Sequence, residues 1–188
     1  MATDISICNT GLLLVGADEI TSFSDETREA RICAALYETT KISELQKHDW
    51  SFTRQQTDLA RLSTAPLFNY SYAFQIPANT IKIIATDILP SEYRVYQDKI
   101  FSNVKNLKMT HQVDPGEASY PAYFTRLFEY KMSEILSTAL LQDENMSQIY
   151  RQKYEDQYWE AKKTDSQQDP SRQIPFRQFE IASTRSTS

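Results

Sequence analysis

Glycine is scarce in this chain, with only three in 188 residues. Loops that cradle phosphate use glycine where backbone must approach a ligand closely, so that class of nucleotide site has little to build on. Cysteine is equally sparse. Cys8 and Cys33 stand at no metal-ligand spacing, and each falls in an apolar stretch where a free thiol behaves as a small core residue. Two such residues suit a reducing compartment. No run approaches the roughly 18 apolar residues of a membrane span, and the N-terminus lacks a basic region followed by a hydrophobic one. The expectation is a soluble protein made in the cytosol. Basic residues are also short, at 20 Lys and Arg against 25 Asp and Glu, a net charge of −5. A general nucleic-acid binder needs the opposite balance.

What is present is enough for a core. The hydrophobic fraction is 40%, and a chain of this length buries roughly 70% of its unfolded surface without a disulfide or metal. Ile5 to Val15 reads as a compact helix closed by Gly16. After a loop over Ala17 to Phe23, Ser24 is expected to cap a longer helix, with Asp25 and Glu26 at the positive end of its dipole. Ala30, Cys33 and Tyr37, then Ile42 and Leu45, carry that helix to about His48. The period then drops to two. Tyr70, Tyr72, Phe74 and Ile76 alternate with Ser71, Ala73 and Gln75, as a strand with one buried face requires. Ile81 to Leu89, Tyr93 with Val95, Ile100 with Phe101, and Leu107 to Val113 are further strand-like pieces. Gln97 to Lys99 and Asp114-Pro115-Gly116 supply turns.

Helical spacing returns after Pro121 at Phe124, Leu127, Phe128, Ile135, Leu136, Ala139 and Leu140. A final helix begins at Asp143-Glu144, with Met146, Ile149, Tyr150, Tyr154, Tyr158 and Ala161 on one side. The two read as an antiparallel pair with a very short connection. The fold expected is mainly α: an antiparallel helical bundle over 1–49 and 114–166, an inserted small β-rich region over 50–113, and an extended C-terminal tail over 167–188. From Thr164 the texture is Ser, Gln, Asp, Thr, Pro and Arg without a sustained period. Ile174, Phe176, Phe179 and Ile181 interrupt it, and apolar anchors in a polar tail suit a segment that becomes ordered on a partner.

No catalytic, metal-binding or cofactor-binding residues stand out. His48 ends a helix and His111 sits on the apolar face of a strand, both without a Cys, Asp or Glu at ligand spacing. The acidic pairs Asp18-Glu19, Asp25-Glu26, Asp143-Glu144 and Glu155-Asp156 fit solvated helix faces and helix starts better than acid–base chemistry. The 11 Tyr, 9 Phe and 2 Trp are many. Core and strand packing accounts for most of them, with interface roles for some. Single-strand stacking would also need a basic groove, and none is evident in the middle region.

One ordered series of blocks goes further. Gly11-Leu12-Leu13-Leu14-Val15-Gly16-Ala17 and Ile20-Thr21-Ser22-Phe23 are followed by Asp25-Glu26-Thr27-Arg28-Glu29-Ala30-Arg31-Ile32-Cys33 and His48-Asp49-Trp50-Ser51-Phe52. Leu59-Ala60-Arg61-Leu62, Tyr70-Ser71-Tyr72-Ala73-Phe74-Gln75-Ile76-Pro77 and the helix pair from Pro121 to Ala161 come next. Over about residues 5–168 the chain resembles the tail tubular protein A family, the head-to-tail connectors of short-tailed phages. Where relatives often have a glycine in the central hairpin, this chain has Gln97-Asp98-Lys99. The resemblance implies a non-enzymatic virion protein without cofactor, made in the host cytoplasm and placed at the head–tail junction. Its implied partners are the portal protein, a tail nozzle of the tail tubular protein B kind, and copies of itself in a ring matching the twelvefold portal. Genomic DNA would pass through the lumen unread, and no membrane is involved. Ile174, Phe176, Phe179 and Ile181 are then the expected portal contact. Other phage head-completion or tail-assembly proteins, and an assembly chaperone or enzyme of a phage structural operon, are the competing readings.

Overall fold

A computed structural model describes residues 2–168 of the protein. Among the described residues, four α-helices, three short 3-10 turns and two small antiparallel sheets make up the fold, 51% helix and 17% strand, which is more mixed than a helical bundle alone. The first helix, α1, spans Asp4–Val15. Thr3 caps it by accepting from the Ser6 N–H, while the Ser6 hydroxyl receives the Thr3 N–H. Gly16 ends it at φ 77°, a conformation that glycine adopts without steric cost.

The second helix, α2, covers Arg28–Gln46, and its cap is Thr27 rather than Ser24. The difference lies in Asp25. Its carboxylate turns back to accept from the backbone N–H groups of Thr21 and Ser22 and from the Thr21 hydroxyl, closing a polar loop ahead of the helix. The Thr21 and Ser22 N–H bonds hold the Asp25 carboxyl below its ordinary range.

Helix α3 (Ala122–Leu141) begins after Pro121 and stops where Gln142 takes φ 54°. Asp143 then accepts from the Met146 N–H and opens α4, Glu144–Gln168. The α3–α4 connection is therefore as short as the spacing predicts. Helix α4 nonetheless runs two residues into the segment expected as tail. Helices α1, α2 and α4 all pack on α3. Their common core holds Ile7, Leu12, Cys33, Leu45, Trp50, Phe124, Phe128, Met132 and Leu136, every one of them buried. At Gly11, α1 approaches α3 so closely that an added Cβ would lie 3.1 Å from Met132 Cβ. Ile149, expected on the inner side of α4, is 56% exposed. The inner stripe is Tyr150, Tyr154, Ala161 and Asp165, and Ile149 sits outside it at 100° per residue.

All six strands lie between α2 and α3. One sheet has the order β1-β6-β3, from Arg54–Asp58, Lys108–Gln112 and Lys82–Thr86. The other has the order β2-β5-β4, from Tyr72–Gln75, Lys99–Ser102 and Tyr93–Tyr96. In register, Phe74 faces Ile100, which faces Val95. Leu59, Phe74, Ile100, Leu107 and Met109 form a second, smaller core, with Tyr72 and Ile76 packed on it. Tyr70 departs from the expected face. Asn69 takes φ 68°, reversing the chain just ahead of it, and Tyr70 stands beside Phe101 on the outward side of the sheet.

Candidate interaction surfaces and the junctions that place them

The chain crosses between bundle and β insertion twice, once outward and once back, and a polar cluster fixes each crossing. At the outgoing one, Asp165 of α4 is 2% exposed. Its carboxylate accepts from the Ser51 N–H at 3.1 Å, the Ser51 hydroxyl at 2.7 Å and the Tyr123 hydroxyl at 2.7 Å. His48 Nε2 lies 3.6 Å away. Trp50 is packed edge-on by His48, Phe124 and Tyr158, and its indole N–H donates to the Glu44 carbonyl. Burial lowers the His48 pKa, against the pull of Asp165. Serine, histidine and aspartate meet here, but both the serine hydroxyl and the imidazole address the carboxylate. That geometry positions a chain and does not activate a nucleophile.

At the return crossing, Lys41 of α2 gathers Glu38 at 2.8 Å, Asp114 at 3.0 Å and Glu117 at 3.1 Å. The Tyr37 hydroxyl donates to Glu117, and the Tyr120 hydroxyl to Asp114. Burial pushes Asp114 upward, yet the Gly116 N–H, Tyr120 and Lys41 outweigh it and hold the carboxyl below its usual value. Between the two crossings, Nε2 of Gln112 in β6 shares its two N–H groups among the Leu45 and His48 carbonyls and the Thr53 hydroxyl. A third buried cluster ties α4 to α2. Glu44 accepts from the Tyr154 hydroxyl at 2.7 Å and from Lys47 at 2.6 Å. Together these bonds hold the insertion in one orientation on the bundle.

His111 lies on the strand's apolar face, as the alternation implies. Its ring nitrogens meet the Thr57 and Thr80 hydroxyls at 3.2 and 2.8 Å, and burial lowers its pKa. Cys8 and Cys33 are free, buried and paired with each other. The neighbouring Cys33 thiol and then burial push the Cys8 thiol above its ordinary value. Among the described residues no group of three or more His, Cys, Asp or Glu could hold a metal ion, and no helix is long and apolar enough to cross a membrane.

The surface is more informative than the interior. Residues 62–70 form a loop over the outward face of the β2-β5-β4 sheet, where Leu67 is 97% exposed and Phe68 72%. Beneath them runs an apolar cleft of about 690 Å³, walled by Leu62, Pro66, Tyr70, Ala73, Tyr96 and Phe101. On the bundle, the side of α4 away from the core shows Ile149 and, at 68% exposure, Trp159. Charge is divided too. Residues 50–113 carry seven Lys and Arg against four Asp and Glu, the reverse of the whole chain. Arg61, Lys105 and Lys108 surround a polar cleft there, shared with Asp58. It lacks the aromatic platforms that single-strand binding uses. Arg28 donates to the Ala139 carbonyl, bringing the acidic loop before α2 to the α3–α4 turn, the end of the bundle remote from the insertion. The four expected portal-contact residues, Ile174, Phe176, Phe179 and Ile181, lie outside the described residues. The chain matches no known protein-family model and no curated protein.

Proposed function

We propose that this chain is a structural virion protein, a ring-forming adaptor that joins the portal of a short-tailed phage to its tail nozzle and leaves a channel for DNA. The observation that carries the reading is the ordered series of sequence blocks from Gly11 to Ala161, which resembles the tail tubular protein A family in order and in kind. The physical features are compatible with it. An adaptor ring needs a rigid subunit with unlike surfaces, because neighbours in a ring meet through two different patches. The polar clusters at Asp165 and Lys41 supply rigidity between bundle and insertion. The 62–70 loop supplies one exposed apolar patch, at Leu67 and Phe68, and the outward side of α4 exposes Ile149 and Trp159 singly. An overall negative charge disfavours adhesion of DNA to the lumen. The portal is met through Ile174, Phe176, Phe179 and Ile181.

The test is direct binding to purified portal rings. The full chain is expected to bind in the portal's twelvefold stoichiometry. A chain lacking residues 169–188 keeps its circular dichroism and loses portal binding. Failure of the full chain to bind refutes the adaptor; retained binding by the shortened chain refutes the assignment of the portal contact to the tail.

A further inference from the structure

We propose that residues 172–181 of the chain dock in its own apolar cleft, between the 62–70 loop and the outward face of the β2-β5-β4 sheet. The proposal stands apart from the adaptor reading, since it concerns the protein before it meets any partner.

The first argument is where the described chain ends. The last turns of α4 are bonded through Asp165 to Ser51, at the root of the insertion, so the described chain ends at Gln168 beside the insertion and not at the remote end of the bundle. The second is reach. A compact body of some 64 residues is about 28 Å across. An extended chain covers about 3.3 Å per residue, so Ile174 lies up to about 20 Å from Gln168 and Phe179 up to about 36 Å. Phe179 can therefore span a body of that width, while Ile174 reaches only the part nearer to the end of α4. The third is the match of surfaces. The bundle core is already filled by buried side chains, whereas the cleft is open, apolar and overhung by Leu67 and Phe68. Two exposed neighbouring apolar side chains above an apolar floor form a surface that gains by being covered.

The pattern of the segment fits as well. Ile174 with Phe176, and Phe179 with Ile181, are each spaced by two, and the two pairs fall on opposite sides of an extended chain, so that one pair meets the cleft floor and the other the overhanging loop. Pro175 cannot donate a backbone hydrogen bond and is tolerated only at a sheet edge or in a groove. The cleft is lined in part by Tyr96, the last residue of β4, a strand that among the described residues pairs with β5 alone. An extended segment passing there meets both an apolar floor and an open edge. Tethering makes weak contacts sufficient. A tether of a few residues gives an effective concentration on the order of 1 mM, so an intrinsic affinity of about 0.1 mM already leaves the cleft about 90% occupied.

The experiment uses the full chain with Phe179→p-benzoylphenylalanine, and separately Phe176→p-benzoylphenylalanine, irradiated at low micromolar concentration and mapped by mass spectrometry. The expected product is an intramolecular cross-link to residues 62–70, Tyr96 or Phe101. Its yield should fall at least tenfold when Leu67→Asp and Phe68→Asp are added, changes at exposed positions that leave the circular dichroism unaltered. In the unlabelled protein, removing residues 169–188 should speed amide exchange at Tyr70 to Ala73. Cross-links only between chains, cross-links only to other regions, a yield indifferent to the two aspartates, or unchanged exchange would each overturn the proposal.

Discussion

Replacing Asp165 by alanine removes the acceptor shared by three donors: the Ser51 N–H, the Ser51 hydroxyl and the Tyr123 hydroxyl. A buried donor left unpaired costs about 1–3 kcal/mol. Ser51 and Tyr123 are only part-buried, so their hydroxyls recover some bonding to water, and the lower end of that range applies to each. The expected loss is about 3 kcal/mol, in line with breaking a buried polar cluster from one side. In a chain of this size 1 kcal/mol moves Tm by about 2–4 °C, so Tm should fall by about 6–12 °C. Asp165→Asn keeps one carbonyl acceptor and should cost about 1–2 kcal/mol. Asp156→Ala, on the exposed side of the same helix, should stay within about 0.5 kcal/mol. Urea denaturation gives the free energies, and hydrogen exchange tells where they act, with Ser51 and the β1 amides losing protection before α1 does. A loss below about 1 kcal/mol for Asp165→Ala, or loosening spread evenly over the bundle, would refute the role of Asp165 as the insertion's anchor.

Acid should weaken the fold through its two histidines. Burial lowers both pKa values from the ordinary 6.5, so above that pH the rings are neutral in folded and unfolded chains alike and contribute nothing. As pH falls below 6.5 the unfolded chain takes up protons that the folded chain resists, and stability drops. The urea midpoint should be lower at pH 5.5 than at pH 8, and the His48→Gln/His111→Gln variant should flatten the difference; a rise on acidification would contradict the assignment. Gly11 tests the α1–α3 contact. In Gly11→Ala the gain in helix propensity, about 1 kcal/mol, roughly cancels the crowding against Met132 and Leu136, whereas Gly11→Val should cost about 3 kcal/mol by thermal or chemical denaturation.

The helices were legible because their signals are local. Gly16, Pro121 and Asp143 mark boundaries by backbone chemistry, and the apolar stripes of α2 and α3 repeat at helical spacing. Strand β1 was not legible. Arg54-Gln55-Gln56-Thr57-Asp58 is polar and exposed, and it becomes a strand by pairing along its length with β6, a contact some fifty residues away. The Ser24 expectation failed for a related reason. An aspartate at the start of a helix and one closing a loop look alike until its hydrogen bonds are known. Asp165 was hidden by its company, a polar run of Thr, Asp, Ser and Gln whose helical continuation depends on tertiary bonds to Ser51 and Tyr123. The cleft was less legible still, because Asn69 rather than any apolar pattern turns Tyr70 outward to wall it.

We propose that the chain forms a ring at the head–tail junction. A reconstruction of the mature particle at a resolution that traces helices tests it most directly. The expected density is a ring of this fold immediately beneath the portal, with the insertion fixed on each bundle as Asp165 and Lys41 hold it, and DNA running free through the centre. Absence of the chain from the particle, or its presence at a site touching neither portal nor nozzle, would contradict it.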